Sequence, residues 1–384
     1  MPKTTNLMRH VALCGYVGFD NLGDELILQT LVKALVLHPA MPKPLHLTVF
    51  SQQPEATQQT LKALIQSLDS STLLTVTSIH RQDIKAIFQT LWQADGFITG
   101  GGGLFQDKTG WKSPLYYGGL MLLAKLLGCK TLAYGQGMGP LTTALGRFFT
   151  TLGLNTCDAV IVRDAQSHAL AQQLTHAPVI ETTDTVWARF EGKNNASAPT
   201  EKTYTLGISL RPWPSLTETR IRHLAQCISQ GLQQAYPNNP IHVALLPCEP
   251  HTDNAILHLL QQALIQAAPS ISVQSILPTE AEKTIAQCQT IMGMRYHAVV
   301  LSAKANIPVW GLVYDPKVAS VCEALKLPAT PIEALDSLTS DTIAEWLSNP
   351  EPPSAALLAH YQTLAHKNLD LLAASLNHQP LIEL

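Results

Sequence analysis

The chain has 384 residues, of which 46% are hydrophobic and only 14% charged, and its formal net charge is -3. This length suits two globular domains, and the composition excludes an intrinsically disordered chain. The near-neutral charge also argues against a nucleic-acid-binding protein, which usually carries a strongly basic face.

The first half of the chain alternates between apolar strands and helices, which is typical of a parallel α/β sheet. The predicted strands are 10–14, 45–50, 73–79, 96–99, 131–134 and 159–162, and the predicted helices are 26–37, 54–68, 84–92 and 113–127. Four of these strands end in glycines or in a charged pair. Such residues can be ordinary turns, but their recurrence on one predicted sheet edge indicates a ligand crevice.

The loop after the first strand reads GYVGFDNLGDE at residues 15–25 and leads into a helix. Strand, glycine turn and helix together have the shape of a phosphate-binding loop, although the spacing matches neither the dinucleotide fingerprint nor the Walker sequence. Asp24 and Glu25 would repel a phosphate unless they cap the helix or face elsewhere. A tight turn without a ligand remains the alternative.

Three further strand ends carry unusual residues. Four consecutive glycines occupy 100–103, the segment GQGMG occupies 135–139, and Arg163 with Asp164 follows the strand at 159–162. A run of glycines costs chain entropy and packs no side chain, so it suits places where backbone approaches a ligand or another backbone closely.

A polar, turn-rich segment at residues 192–202, GKNNASAPTEK, predicts a domain boundary. Beyond it the alternation restarts and ends in a long helical pattern. Predicted strands lie at 205–210, 242–246 and 271–276, and predicted helices lie at 221–235, 253–268 and 355–376. We predict an N-terminal Rossmann-like domain at 1–191, a C-terminal one at 203–350, and a segment at 351–384 whose helix packs back on the first domain.

Residues 290–317, TIMGMRYHAVVLSAKANIPVWGLVYDPK, give the strongest functional signal. The pattern is strand, helix at 298–305 and strand at 307–313, which predicts a right-handed βαβ unit. Arg295 and His297 would then lie between the first strand and the helix, and Lys317 just past the second strand. Three cations beside a helix N-terminus predict a site for a small anion such as a phosphate or a carboxylate. The alternatives are a structural His297 and an Arg295 that pairs with a buried carboxylate.

Two doubly wound domains with facing carboxyl edges would form a cleft, with Arg163 on one side and Arg295, His297 and Lys317 on the other. We expect no metal site, because Cys248 and His251 form a C-x-x-H pair without a second pair. No D-x-D motif suited to a metal–diphosphate bridge, no nucleophile elbow and no Walker sequence occurs.

We expect a cytoplasmic protein without a signal peptide or a transmembrane helix. The apolar run that starts at Val11 is interrupted by Gly15 and Gly18, and the most apolar stretch, 115–127, contains Lys125. Seven scattered cysteines in or beside apolar runs indicate reduced core thiols. Peripheral contact with the inner face of the membrane remains open.

Five motifs together resemble the polysaccharide pyruvyl transferase family, particularly its bacterial cell-wall branch. They are GYVGFDNLGDE at 15–25, TGGGGLFQD at 99–107, YGQGMGPL at 134–141, VRD at 162–164 and GMRYHAVVLSAKANIPV at 293–309. The resemblance implies two Rossmann-like domains arranged as in GT-B glycosyltransferases, with the active site in the interdomain cleft. It also implies transfer of the pyruvyl group of phosphoenolpyruvate to a sugar, usually as a cyclic ketal.

Under this resemblance, Arg163, His297 and Lys317 look equivalent to the family's phosphoenolpyruvate-binding residues. Catalytic roles are expected for His297, Arg295 and Asp24, with Glu25 and Asp107 left open as alternative bases. The residues expected to contact the acceptor or to shape its loops are Gly15, Asn21, Asp24, Gly101, Gly102, Asp107, Gln136 and Arg211.

The implied acceptor is an N-acetylmannosamine unit of a lipid-linked saccharide at the membrane surface. Trp111, Tyr116, Tyr117 and Trp213 are candidates for stacking on sugar rings, with ordinary packing as the alternative. Phosphoenolpyruvate is a substrate, and neither a cofactor nor a nucleic-acid partner is expected; the oligomeric state stays open. Two alternative functions fit the same pattern: a GT-B glycosyltransferase that uses a nucleotide sugar, and a non-catalytic two-lobed anion-binding protein.

Overall fold

The computed structural model describes residues 9–108, 110–188, 190, 203–379 and 381. The boundary segment predicted at 192–202 lies outside the described residues. The chain divides into two compact units, of which the first runs to Phe190 and resumes at Tyr361, and the second spans Glu191–His360.

The first unit holds a parallel sheet covered by helices. Its strands are β1 His10–Cys14, β2 Leu45–Ser51, β3 Leu74–His80, β4 Gly96–Thr99, β5 Gly102–Phe105, β6 Lys130–Met138, β7 Ala159–Val162 and β8 Val179–Glu181. Its helices are α1 Leu22–Leu37, α2 Pro54–Ser67, α3 Ile84–Gln93, α4 Lys112–Leu126, α5 Ala144–Leu154 and α6 Ala165–Leu174. The strand order is β3-β2-β1-β4-β6-β7-β8, with β5 beside β6, so the winding reverses between β1 and β4.

The second unit repeats this plan. Its strands are β9 Tyr204–Ser209, β10 Ile241–Leu245, β11 Ser272–Ser275, β12 Thr290–Gly293, β13 Val309–Val313 and β14 Ala329–Pro331. Its helices are α7 Glu218–Ala235, α8 Pro250–Ala267, α9 Ala281–Ile285, α10 Tyr296–Lys304, α11 Pro316–Ala324 and α12 Ser340–Ser348. The order β11-β10-β9-β12-β13-β14 places the reversal between β9 and β12.

The central strands are buried along their length, as expected where helices cover both faces of a parallel sheet. In β7 all four residues of the sequence AVIV are buried. In the second unit, β9 supplies Leu206 and Ile208 to a core that also contains Leu224 and Ile228 of α7. The prediction of two doubly wound α/β domains is confirmed, and each sheet has the strand order that places ligands at its reversal point.

Two glycine-rich segments are strand rather than turn, which corrects the predicted boundaries. Strand β6 runs through Gly135 and Gln136 to Met138, after a shift in register against β7. Gly102 opens β5, which pairs with β6. Glycine is depleted in strands, so the sequence pattern alone indicates turns at both places.

Helices α1 and α10 begin earlier than predicted. The Oδ1 of Asn21 accepts a hydrogen bond from the backbone N of Gly23 at 3.1 Å, and this cap starts α1 at Leu22 instead of residue 26. Helix α10 begins at Tyr296, so His297 lies in its first turn rather than before it.

Helix α13, Ala355–Leu376, begins in the second unit and continues into the first. Within the first unit, the ring of Tyr361 stacks on Trp187 with a centroid distance of 5.0 Å. The Nδ2 of the buried Asn368 donates to the carbonyl oxygen of Thr183 at 3.1 Å. The part of the helix between Tyr361 and Asn368 therefore packs next to the segment that follows β8.

All seven cysteines are buried free thiols. Among the described residues, no group of three or more His, Cys, Asp or Glu side chains could hold a metal ion. In the same part of the chain, none of the helices combines the length and the apolar composition that crossing a membrane would need.

Candidate active site

A small, open pocket lies at the reversal point of the first sheet. Strands β1 and β4 lie side by side there, and Gly15 and Gly100 follow their last residues. The pocket is lined by these two glycines together with Tyr16, Asp24 and Gly101, and its floor is apolar. Doubly wound sheets bind ligands at this place, because the loops after the two central strands turn away from each other.

Asp24 faces the glycine run in this pocket. It lies in the first turn of α1, where Asn21 caps the helix. Gly102 has a φ of +99°, and a Cβ at that position would collide with the Oδ1 of Asp24. The left-handed backbone favours glycine here, and the absent side chain leaves room for the Asp24 carboxylate.

The other two candidate bases are occupied by backbone amides. The Oε1 of Glu25 accepts a hydrogen bond from the N of Gly18 at 2.7 Å, and burial raises the pKa of Glu25. Asp107 is 4% exposed and accepts hydrogen bonds from the N of Thr142 at 2.8 Å and of Thr143 at 2.7 Å. Burial alone would raise the pKa of Asp107, but the bonds from Thr143 and Thr142 outweigh it and lower the pKa. Both carboxylates stabilise loops, and Asp24 is the one that lines the pocket.

Gln136 contacts the glycine loop from below. Its side chain is fully buried, and its Nε2 donates to the carbonyl oxygen of Thr99 at 2.9 Å and also to that of Gly100. These bonds fix the end of β4 where the pocket begins, so Gln136 shapes the loop.

Arg163 directly follows β7 and is surrounded by carboxylates. Its side chain is 5% exposed, its NH1 lies 3.1 Å from Asp184 Oδ2, and its Nε lies 3.5 Å from Asp164 Oδ2. A Cβ on Gly137 would lie 2.6 Å from the Cζ of Arg163, which explains the glycine at that position. The guanidinium is therefore held in place, and its charge is already matched in this structure.

Arg295 follows β12, at the reversal point of the second sheet. Its Nε donates to Asp253 Oδ2 at 3.1 Å, and its NH2 donates to Glu249 Oε2 at 2.9 Å. Burial alone would lower the pKa of Arg295, but the hydrogen bonds and charges of Asp253 and Glu249 raise it further above its usual range. Arg295 thus pairs with a buried carboxylate, which is one of the two alternatives that the sequence leaves open. Arg295 therefore stays charged, and its ion pairs hold the loop that leads into α10.

His297 and Lys317 occupy equivalent positions on two neighbouring helices. His297 is the second residue of α10 and Lys317 the second residue of α11, and these helices follow the adjacent parallel strands β12 and β13. Both residues thus lie at the carboxyl edge of the second sheet. Among the described residues no side chain caps α10, whereas Asp315 caps α11 by accepting from the N of Lys317 at 3.0 Å.

Arg211 follows β9, the other strand at this reversal point. Its NH1 donates to the Tyr314 hydroxyl at 3.1 Å, and its guanidinium carbon lies 5.1 Å from the centre of that ring. Trp213 packs edge-on against the same ring with a centroid distance of 4.9 Å. The sequence pattern did not indicate Tyr314 as a site residue, although Tyr314 directly follows an apolar strand, as Arg163 does.

The sequence pattern likewise did not indicate Arg81, which directly follows β3. Its guanidinium lies 4.5 Å from the centre of the Tyr116 ring, 5.7 Å from that of Tyr117 and 5.0 Å from that of Phe19. Tyr116 and Tyr117 thus hold an arginine, and Trp111 stacks on Phe149 with a centroid distance of 6.1 Å. The rings of Trp111, Tyr116 and Tyr117 thus pack against other side chains of this chain.

Known structures share the fold of this chain. The UDP-GlcNAc 2-epimerase from Methanocaldococcus jannaschii has a TM-score of 0.61 at 10% identity, over 94% of this chain and 98% of that one. A putative UDP-N-acetylglucosamine 2-epimerase from Listeria monocytogenes has a TM-score of 0.61 at 11% identity, over 97% of this chain and 98% of that one. A glycosyltransferase from Rickettsia africae has a TM-score of 0.52 at 10% identity, over 96% of each chain. The fold is therefore GT-B-like.

At the level of sequence, the family model described as polysaccharide pyruvyl transferase matches residues 21–316. No curated protein sequence matches the chain significantly. The matched region includes Asn21 and Asp24 at the first reversal point and Arg211, Arg295 and His297 at the second, and it ends one residue before Lys317.

Proposed function

The chain belongs to the polysaccharide pyruvyl transferase family, and we propose that it transfers the pyruvyl group of phosphoenolpyruvate to a sugar as a ketal and releases phosphate. The observation that carries this proposal is the family match over residues 21–316, which takes in the reversal points of both sheets. The epimerase and glycosyltransferase structures support the fold and no particular substrate.

The second unit suits the anionic substrate. Phosphoenolpyruvate carries a phosphate and a carboxylate, which call for several fixed hydrogen-bond donors with positive charge. His297 and Lys317 lie in the first turns of α10 and α11, where backbone amides and the helix dipole add to their charge. We assign phosphoenolpyruvate to these two residues. Arg163 stays a proposed third contact, on the strength of the family resemblance.

The first unit suits the acceptor. In the proposed reaction the methylene carbon of phosphoenolpyruvate gains a proton while a sugar hydroxyl attacks the neighbouring carbon and loses its own proton. Phosphate then leaves with the bridging oxygen, and a second hydroxyl attacks the same carbon and loses a proton as the ring closes. We assign the acceptor's general base to Asp24, because Asp24 lines the pocket beside the glycine loop.

His297 is the proposed proton donor to the methylene carbon. Imidazole groups exchange protons near neutral pH, and His297 lies in the first turn of α10, at the carboxyl edge of the second sheet. Arg295 supports this turn, since it is the N-cap residue of α10 and is anchored by Asp253. No cofactor takes part in this scheme.

We propose N-acetylmannosamine of a lipid-linked saccharide, met by the protein at a membrane surface, as the acceptor. This part rests on the resemblance to the cell-wall branch of the family. Phosphate release should require both phosphoenolpyruvate and the acceptor, and the acceptor's mass should increase by that of pyruvic acid less one water. Reaction only with sugars that lack an acetamido group would contradict this acceptor.

A nucleotide-sugar glycosyltransferase is the competing function. Thermal denaturation with phosphoenolpyruvate or with UDP- and GDP-sugars separates the two, because a ligand raises the melting temperature of the protein that binds it. Stabilisation by a nucleotide sugar and none by phosphoenolpyruvate would overturn the proposed function.

A further inference from the structure

We infer that Arg211 binds the phosphate group of the anionic substrate, whereas the family resemblance implies that it contacts the acceptor or shapes its loops. This inference rests on the proposed function and names a further residue for it. The observations that carry it are the position of Arg211 in the second sheet, the state of its charge, and the way its guanidinium is held.

The position of Arg211 is next to Arg295. Strands β9 and β12 are paired in parallel, with Ser209 opposite Gly293. Arg211 and Arg295 each lie two residues beyond these partners, and the backbone N of Arg211 contacts the Sδ of Met294 at 3.4 Å. The two arginines therefore lie on either side of the reversal point, where a doubly wound sheet binds its ligand.

Arg295 and Arg211 differ in whether a carboxylate compensates their positive charge. Arg295 is paired with Asp253 and Glu249, two carboxylates for one guanidinium. Arg211 forms no ion pair with any residue that the structure describes; its side-chain partner is the neutral hydroxyl of Tyr314. At this reversal point the charge of Arg211 thus remains available to an anion, while that of Arg295 is already compensated.

The donors of Arg211 are also incompletely used. Its Nε is buried and has no hydrogen-bond partner among the described residues. A buried donor without a partner carries a free-energy cost, and an oxyanion that accepts from it removes the cost. Arginine presents its donors as a planar fork that matches two oxygens of a phosphate, so Nε and the neighbouring NH2 can bind one phosphate together.

The guanidinium is held before any ligand arrives. The ring of Tyr314 supports it from the face at 5.1 Å, the hydroxyl of Tyr314 fixes NH1, and Trp213 buttresses the ring at 4.9 Å. Tyr314 itself follows β13, the strand next to β12. A donor fixed in this way loses little side-chain entropy when it binds.

The test compares Arg211→Ala and Arg211→Lys with Arg222→Ala. Arg222 is an exposed arginine of α7 in the same unit, paired with Glu218, and serves as the matched control. For each variant the Kd of phosphoenolpyruvate is measured by calorimetry, together with KM for phosphoenolpyruvate and KM for the acceptor. We expect Arg211→Ala to weaken phosphoenolpyruvate binding by roughly 10- to 150-fold with little change in KM for the acceptor. Arg211→Lys should be intermediate, and Arg222→Ala unchanged.

A second variant separates binding from folding. Tyr314→Phe keeps the ring but removes the hydroxyl that holds NH1, so phosphoenolpyruvate affinity should fall by less than in Arg211→Ala while thermal stability stays near that of the unaltered protein. Unchanged phosphoenolpyruvate affinity in a folded Arg211→Ala variant would overturn the inference and leave the proposed function intact. If Arg211→Ala raises only the KM for the acceptor, Arg211 contacts the acceptor and not phosphoenolpyruvate. Failure of the unaltered protein to bind phosphoenolpyruvate would overturn both.

Discussion

Asp253 and Arg295, 42 residues apart in the chain, form a buried ion pair in the second unit. The Oδ2 of Asp253 accepts from the Nε of Arg295 at 3.1 Å and from the backbone N of Cys248 and Glu249 at 3.0 Å each. One carboxylate thus joins the loop after β10 to the loop after β12. The start of α10, which carries His297, is positioned by this contact.

We expect Asp253→Ala to lower the free energy of unfolding by about 3–5 kcal/mol, because a buried guanidinium loses its main partner. Urea unfolding measures the effect. Glu218→Ala is the control: it removes the exposed partner of Arg222 and should change stability by less than about 1 kcal/mol. Equal losses in the two variants would show that burial gives the Asp253 pair no special importance.

The glycine run offers a matched pair of variants. Gly102→Ala places a Cβ against the Oδ1 of Asp24 at a φ of +99°, whereas a Cβ on the adjacent Gly103 meets no atom within 4 Å. We expect Gly102→Ala to cost about 1–3 kcal/mol of stability and to reduce turnover by displacing Asp24. Gly103→Ala should behave like the unaltered protein. Equal stability and equal turnover in the two variants would show that the contact between Gly102 and Asp24 does not contribute to function.

Asp24→Asn should lower kcat by about 100-fold or more, since an amide cannot accept the proton of the sugar hydroxyl. KM for phosphoenolpyruvate should change little, because Asp24 is assigned to the acceptor. Glu25→Gln is the comparison: a glutamine oxygen can still accept from the N of Gly18, so activity should persist. Full activity of Asp24→Asn would exclude it as the base.

His297→Ala and Lys317→Ala should each weaken phosphoenolpyruvate binding by roughly 10- to 150-fold, the effect of one lost charge-assisted contact. His297→Ala should in addition lower kcat by about 100-fold, because it removes the proposed proton donor. Steady-state kinetics with phosphoenolpyruvate as the varied substrate separates the two effects. A stable His297→Ala variant with unaltered kinetics would remove this residue from the site.

Asp107 should make stability depend on pH in the acid range. Its pKa is lower in the folded chain than in the unfolded one, so its contribution is fully present above the unfolded value, about 3.9, and is lost as the pH falls through the folded value. Asp107→Asn should therefore lose stability at neutral pH, and the difference from the unaltered protein should shrink under acid conditions. Urea midpoints across this range provide the measurement. A difference that is constant with pH would contradict the lowered pKa.

Much of the fold was predictable because the central strands are short apolar runs, several of which end in glycine or charge. The ends of β4 and β7 and the whole of α13 agree with the pattern. Strand β5 was not predictable, since Gly102 pairs with β6 through backbone atoms that a side-chain pattern does not register.

The sequence predicts at which edge of the sheet the site residues lie, but it does not predict which residues they contact. Position after a strand predicts where Arg163, Arg211 and Arg295 lie, because parallel strands end together. Whether an arginine meets a carboxylate depends on distant residues: Asp184 is 21 positions from Arg163, and Asp253 is 42 from Arg295. Arg211 and Arg295 look alike in sequence, and only their three-dimensional partners distinguish them.

The buried thiols have a practical consequence for labelling. Thiol reagents attack the thiolate, and burial raises the pKa of Cys14, Cys288 and Cys322 to about 12 and that of Cys248 to about 11. A cysteine placed at an exposed position, such as Gln59 in the first unit or Glu282 in the second, would react with maleimide dyes far faster than the native seven. Fluorophores can thus be attached to either unit without first replacing any natural cysteine.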